Sequence, residues 1–322
     1  MLGASAASLG GAISVWALFH SNFVAFCLGT ALVGVFQAFA QYYRLAAADA
    51  VEPRAKERAI ATVLTGGIVA AIIGPAIARW SMDILPIKFA GAYSVVMMFG
   101  LCSIALLSFA YADTQAPRKV DNKFVGETAR TLGEILRQPI YVAAVVNNAV
   151  GYAVMMCIMT ATPIAVIGCG HSMDDSAHII QWHMVGMFAP SLITASLIKR
   201  YGIVTVIFTG IGLSALSAGL SLYSNDLLYF YLALAFLGVG WNFMFVGGTT
   251  LLALSYRPEE RAKAQALSEF VTFGFSALGS VGAGQMLSHF GWQTLNWSMF
   301  FLLTVAVIAT LWFAISRSTT KD

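Results

Sequence analysis

Two charged residues stand out because apolar sequence surrounds them. Arg44 follows Gln37 and Gln41 at spacings of four and three, which sets three polar side chains on one helical face. Such a face suits an anionic or hydrogen-bonding ligand in a solute path, or a structural ion pair with Asp49 near the helix end. Glu269 lies in a stripe with Gln265, Thr272 and Ser276. A carboxylate in an apolar medium holds its proton more tightly, so Glu269 is a candidate proton carrier. The alternative for Glu269, as for Asp49, is a gate contact near the membrane surface.

Two further sets could hold a small, partly apolar solute. Asn147, Asn148 and Tyr152 are close in sequence, and Asn148, Tyr152, Met155 and Met159 share a helical face. Trp241, Asn242 and Phe245 form the other set. Flexible thioethers and aromatic rings adapt to varied apolar ligands. Helix packing is the competing reading for the rings and methionines, and interhelical hydrogen bonding for the amides. In Gln181-Trp182-His183, the tryptophan reads as an interfacial anchor and the histidine as a lone titratable group. There is no phosphate-binding Gly-Lys-Ser/Thr loop, no metal-ligand spacing and no nucleophile–base pair. Neither an ATP-driven pump nor an enzyme is expected, and neither is a cofactor or a metal.

The elements that must position these residues follow from composition. Of 322 residues, 59% are apolar and 10% charged, against about 25% charged in soluble domains. So little charge cannot cover a water-facing surface, so the bilayer is the expected partner. The net charge of +3 is scattered in short clusters, which argues against nucleic acid. Cys27, Cys102, Cys157 and Cys169 sit in apolar surroundings without paired spacing and read as small hydrophobes.

The apolar runs are long enough to cross a membrane as helices, and they lack strand alternation. Ten spans are expected, near 1–19, 23–48, 60–80, 89–111, 139–167, 177–198, 203–223, 227–255, 263–287 and 293–316. The two in the run 270–316 divide near Ser288-His289-Phe290-Gly291. With both chain ends inside, the cytoplasmic segments carry 15 Lys and Arg and the opposite side only Arg79 and Lys88, which fixes the expected orientation. The fold class is therefore all-α and integral to the membrane. The divisions are a bundle at 1–111, a linker at 112–138 and a six-helix bundle at 139–322. Within the linker, Phe124, Thr128, Leu132 and Ile135 share one face, which predicts an amphipathic helix lying on the membrane.

The halves resemble each other. Glu-Pro-Arg-Ala-Lys-Glu-Arg-Ala at 52–59 matches Arg-Pro-Glu-Glu-Arg-Ala-Lys-Ala at 257–264 at an offset of 205, which also pairs Gln37 with Asn242 and Gly74 with Gly279. A parallel repeat of this kind occurs in secondary transporters. At that offset the helices at 139–167 and 177–198 have no counterpart in the first half. The expectation is that two helices are missing before Met1 through a fragment or a late start, with a natural ten-helix form as the alternative.

These patches resemble the major facilitator superfamily, whose members have twelve helices in two bundles. Gly66 to Pro75, with Gly74-Pro75 at its end, is similar to the family's antiporter motif, although Ala78-Arg79 stands where a glycine pair is usual. Leu197-Ile198-Lys199-Arg200-Tyr201-Gly202 resembles a degenerate loop motif, with Arg200 and Gly202 in place and Lys199 replacing the usual acid. Gln41 to Asp49 and Gly238 to Phe243 look like a bacterial drug-efflux-like branch. The resemblance implies that the ten spans are the family's helices 3 to 12. It also implies that the Gln37 and Trp241 helices and the Asn148 helix line a central cavity. Small-xxx-small spacing at Gly66, Ala70 and Gly74 predicts close helix packing, and Pro75 a kink. The implied function is secondary active transport of a small solute by alternating access. The protein would be a monomer in the bacterial inner membrane, and proton-coupled export is the first expectation, with uptake the alternative direction. A non-transporting sensor or assembly protein derived from a truncated transporter is the alternative class.

Overall fold

The structure is a computed structural model and describes residues 1–49, 56–110 and 130–318. Among the described residues there are eleven α-helices and no strand. They are α1 (Leu2–Phe19), α2 (Phe23–Asp49), α3 (Lys56–Ser81), α4 (Ala90–Ala110), α5 (Leu132–Leu136), α6 (Pro139–Gly168), α7 (Met173–Phe188), α8 (Ser191–Tyr201), α9 (Ile203–Tyr223), α10 (Leu227–Ser255) and α11 (Arg261–Ser318). Seven of these are individually long and apolar enough to cross a membrane. The chain forms two compact units, Met1–Lys123 and Phe124–Asp322.

In the first unit, α1 packs against both α2 and α4. Its buried face is Gly3, Ala4, Ala7, Ser8, Gly10, Gly11, Ser14 and Ala17, small residues recurring every three or four positions. Within a bilayer, apolar burial gives helices no preference for one another over lipid, so backbone proximity has to supply the attraction. A Cβ on Gly10 would stand 2.6 Å from Gly29 O, and one on Gly11 2.7 Å from Met97 N. The close packing expected at Gly66 and Gly74 is not found, because no described atom lies within 4 Å of a Cβ built on either. The small-residue stripe that is used lies on α1. Pro75 lies inside α3, which continues through it to Ser81.

In the second unit, α6 is central and packs on α7, α10 and α11, while α9 packs on α10 and α11. The expected single helix over 177–198 is instead α7 and α8. Pro190 stands at the break, and proline has no N–H with which to continue the helical ladder. Gly202 then turns the chain from α8 into α9 at φ 85°, a conformation open to glycine. The separation expected at 288–291 takes the form of one sharp bend: α11 is helical on both sides of Gly291, whose φ is 77° and ψ 174°.

Of the predicted linker helix, residues 111–129 lie outside the described residues. Its end is the short helix α5, which begins with a capping box. Thr131 Oγ1 accepts from Glu134 N, and the Glu134 carboxylate accepts from Thr131 N at 2.6 Å. Just before it, Arg130 is clamped to Glu260. Arg130 N and Nε both donate to Glu260 Oε1, at 2.8 and 2.9 Å, and Nη2 donates to Oε2 at 2.7 Å and to Ser255 O at 3.1 Å. Lys263 Nζ donates to Arg130 O. The Arg130 guanidinium holds the Glu260 carboxyl down at about 2. This clamp joins the segment before α5 to the α10–α11 turn. It brings the starts of α6 and α11 and the end of α10 to one basic end of the unit.

Candidate solute site

An aromatic and methionine cluster forms between α6, α7, α10 and α11. Its buried members are Met155, Met187 and Trp241, with Tyr152, Met156, Met159, Phe188 and Phe245 packed around them. The rings are mutually oriented. Trp241 and Phe245 stack with centroids 4.9 Å apart and planes 10° from parallel. Tyr152 stands edge-on to both, at 5.1 and 5.5 Å. Phe273 of α11 completes the cluster 5.6 Å from Tyr152. Trp241 and Phe245 fall one helical turn apart, which is why they stack. Tyr152 reaches them because Gly151 lies against Trp241 Cδ1 and Met244, with no side chain between.

This cluster has an inner layer and an open face. Trp241 is 5% exposed, while Tyr152 and Phe245 are half-buried and Phe273 is 39% exposed. The indole Nε1 of Trp241 is buried without a hydrogen-bond partner among the described residues. A set of π-faces above an unused N–H donor can take a flat aromatic ligand that carries acceptor atoms.

The amides beside the cluster have other partners. Asn147 is fully buried and donates to Ala143 O and to Thr310 Oγ1, both at 2.8 Å, tying α6 to α11. Asn148 Oδ1 is buried against α10, where a Cβ on Gly248 would stand only 2.2 Å from it. Asn242 Nδ2 donates to Met187 O at 2.7 Å and to Ser191 Oγ at 2.6 Å, and its Oδ1 lies 2.8 Å from Thr194 Oγ1. These bonds span the α7–α8 break and satisfy a carbonyl there. Nearby, His183 is fully buried and its Nδ1 donates to Leu234 O at 2.8 Å, fixing α7 to α10. The same crossing brings α10 so close that a Cβ on Gly238 would meet His183 O at 2.4 Å. Trp182 is 58% exposed.

The polar stripe on α11 is split. Thr272 and Ser276 are buried, Gln265 donates to Tyr256 Oη at 2.7 Å, and Glu269 is exposed. On α2, Gln37 is exposed; the side chains of Gln41, Arg44 and Asp49 lie outside the described residues. Arg200 lies over the Tyr201 ring at 5.2 Å, next to the Gly202 turn. Sequence reasoning did not single out Phe273, Met187 or Phe188. All three sit on helices other than those of Tyr152 and Trp241, so no spacing rule linked them. Nor did it find the Arg130–Glu260 clamp, whose partners are 130 positions apart.

Seven helices long and apolar enough to span a bilayer define a multi-pass helical membrane protein. Comparison with known proteins gives the family. The sequence matches the Major Facilitator Superfamily over residues 1–189 and again over 149–322. The chain belongs to that superfamily. It is 40% identical over 310 residues to the riboflavin transporter RfnT of Brucella anthropi, covering 96% of this chain and 77% of that protein. It is 27% identical over 286 residues to YddS of Bacillus subtilis, an uncharacterised transporter of the same type, covering 84% of this chain and 65% of that protein. In structure it is similar to a bacterial homologue of the iron transporter ferroportin in its outward-facing state. The TM-score is 0.58 at 12% identity, over 99% of this chain and 84% of that one, which supports the fold. The chain is a membrane transporter, not an enzyme.

Proposed function

We propose that the chain carries riboflavin, or a flavin close to it, across the bacterial inner membrane. The observation that carries this reading is the ring cluster of Tyr152, Trp241, Phe245 and Phe273. A flavin offers one flat, electron-poor ring system edged with acceptors, which suits stacked aromatic faces and an unused indole N–H. The 40% identity to a riboflavin transporter supports the same substrate class. In this reading the open faces of Phe245 and Phe273 receive the ring. Tyr152 holds its edge, and the methionines adjust to its outline. Gln37, Gln41 and Arg44 of α2 are the proposed solute contacts of the first unit, and in the second unit Asn147, Asn148 and Asn242 hold the helices around the rings.

In this reading transport proceeds by alternating access of the bundle at 1–111 and the bundle at 139–322, joined by the 112–138 linker. The protein acts as a monomer with its basic end and both chain ends in the cytoplasm. Glu269 and Asp49 are the proposed proton-coupling or gate residues. Gly66, Gly74 and Pro75 on α3, and Arg200 with Gly202 at the α8–α9 turn, serve as the structural motif of each half.

The test is flux in proteoliposomes. Riboflavin fluorescence should cross faster with the protein than without it and saturate with concentration. Lumichrome, the ring without the polar chain, should compete, whereas ribitol should not. An imposed pH gradient reads the coupling. A saturable flux that lumichrome leaves untouched would remove the aromatic cluster from the substrate path.

A further inference from the structure

Away from the ring cluster, the second unit contains a groove of about 580 Å³ at its basic end. Pro139 and Ile140 of α6, Ile203 of α9, Leu251 and Leu254 of α10, and Phe313 of α11 form its walls; Ser316 and Arg317 close one end. Four helix ends converge here and do not fill the space between them. Leu254 at the mouth is 69% exposed. In a chain whose solvent is lipid, an exposed leucine on a spanning helix marks the face turned to the bilayer. The groove therefore opens sideways, toward acyl chains.

Charge at the rim selects among lipids. Arg317 is exposed and makes no ion pair among the described residues. Arg137 lies two residues before Pro139, Lys199 and Arg200 lie just before Ile203, and Arg257 lies three residues after Leu254. Among the described acids of this end, Glu260 is paired with Arg130, which leaves Glu134 and Glu259 against Arg137, Lys199, Arg200 and Arg317. Basic pockets between spanning helices favour anionic head groups. A volume of this size is that of a small-ligand cavity and is too small for a partner helix.

We propose that this groove is a binding site for an anionic phospholipid, with one acyl chain against Ile140, Ile203, Leu251 and Leu254 and the phosphate on Arg317. The site is separate from the ring cluster and does not depend on which solute the protein carries.

Native mass spectrometry of the purified full chain tests it. Phosphatidylglycerol is compared with phosphatidylcholine of the same acyl chains, and inorganic phosphate serves as a separate probe. Phosphatidylglycerol should remain bound where phosphatidylcholine is lost. Arg317→Gln should lower its occupancy about fivefold, the ratio given by one lost basic contact near a lipid surface. Arg261→Gln, a basic residue of the same end outside the groove, should leave occupancy unchanged. Leu254→Trp, which fills the mouth from the lipid side, should remove phosphatidylglycerol without lowering the melting temperature. Equal retention of the two lipids overturns the proposal, as does equal loss in Arg317→Gln and Arg261→Gln. Displacement of phosphatidylglycerol by millimolar phosphate also overturns it, because the acyl groove would then contribute nothing.

Discussion

Replacing Phe245 with leucine separates the ring cluster's role in packing from its role in recognition. The substitution keeps an apolar side chain but removes a π-face. Within the protein it deletes the stack on Trp241 at 4.9 Å and the edge contact with Tyr152 at 5.5 Å. Each such pair is worth about 0.5–1.5 kcal/mol beyond area burial. The side chain also loses roughly 25 Å³, which costs about 0.6 kcal/mol at about 24 cal/mol per Å³ of cavity. Phe245 is only half-buried, so the lower part of this range applies, about 1.5–2 kcal/mol in all. The protein should remain folded, with a modestly lower melting temperature.

Binding should suffer more. Stacking a heterocyclic ring on an aromatic side chain contributes about 1–3 kcal/mol per ring by truncation. Riboflavin affinity should therefore fall roughly 5- to 150-fold, read by titrating flavin fluorescence against the purified protein. Lumichrome should lose the same factor, since it keeps only the ring. A useful comparison is Tyr141→Phe, which breaks the bond from Tyr141 Oη to Ala264 O away from the cluster. It should lower stability by a similar order and leave flavin affinity unchanged. If Phe245→Leu binds riboflavin within twofold of the parent while its melt falls as expected, the rings are packing alone, and the assignment of the site is wrong.

Gly248→Ala would place a methyl 2.2 Å from Asn148 Oδ1 and 3.1 Å from Ala144 O; it should cost about 1–3 kcal/mol, and the added change Asn148→Ala should recover most of the lost melting temperature. Glu260→Gln should lower stability at pH 7 by about 2 kcal/mol, the range for a hydrogen bond to a charged group. Because Arg130 depresses the Glu260 carboxyl to about 2, the pair's contribution is complete above about pH 4.5 and fades as pH falls toward 2; parent and variant melts should differ by a constant amount from pH 7 to 5 and converge in stronger acid. Asn242→Leu should lower the melt by about 2 kcal/mol, at about 0.6 kcal/mol per interhelical bond plus a carbonyl left bare, and should weaken flavin binding as well. Gly202→Ala, at φ 85°, should cost about 1–3 kcal/mol of backbone strain, measured by thermal melting in detergent.

The spans could be read from sequence because lipid imposes length and apolarity on each helix in isolation. The break near Gly291 could be read because the uncharged run 270–316 is long enough for two spans and Ser288-His289 interrupts it. Pro190 lies within the apolar run 177–198, and the break there is bridged by the bond from Asn242 to Met187 O, a partner 55 positions away that spacing does not reveal. Trp241, Phe245 and Tyr152 were legible as candidates through helical spacing. Their convergence with Phe273 was not, because it depends on how α6, α10 and α11 pack. The small-residue stripe on α1 and the spacing at Gly66 and Gly74 look alike as strings. They differ in whether a described atom of another helix lies within 4 Å of the glycine Cβ position.

Trp241 and Asn242 are adjacent, and the one-residue step between them separates two tasks. A step along a helix turns the side chain by about 100°. Trp241 therefore joins Met155 and Met187 in the ring cluster, while Asn242 faces the α7–α8 break. The two tasks meet at Met187. Its side chain lies in the cluster, and its carbonyl accepts from Asn242 Nδ2 at 2.7 Å. The bond lies beside the Pro190 break and ties the end of α7, with Met187 and Phe188, to α10 beside the rings. The Asn242 amide bonds to helix backbone and hydroxyls, so in the proposed site its expected part is to fix the wall. This distinguishes it from a ligand contact in a measurable way: a lost ligand contact would lower affinity at constant stability, whereas a lost wall support lowers both.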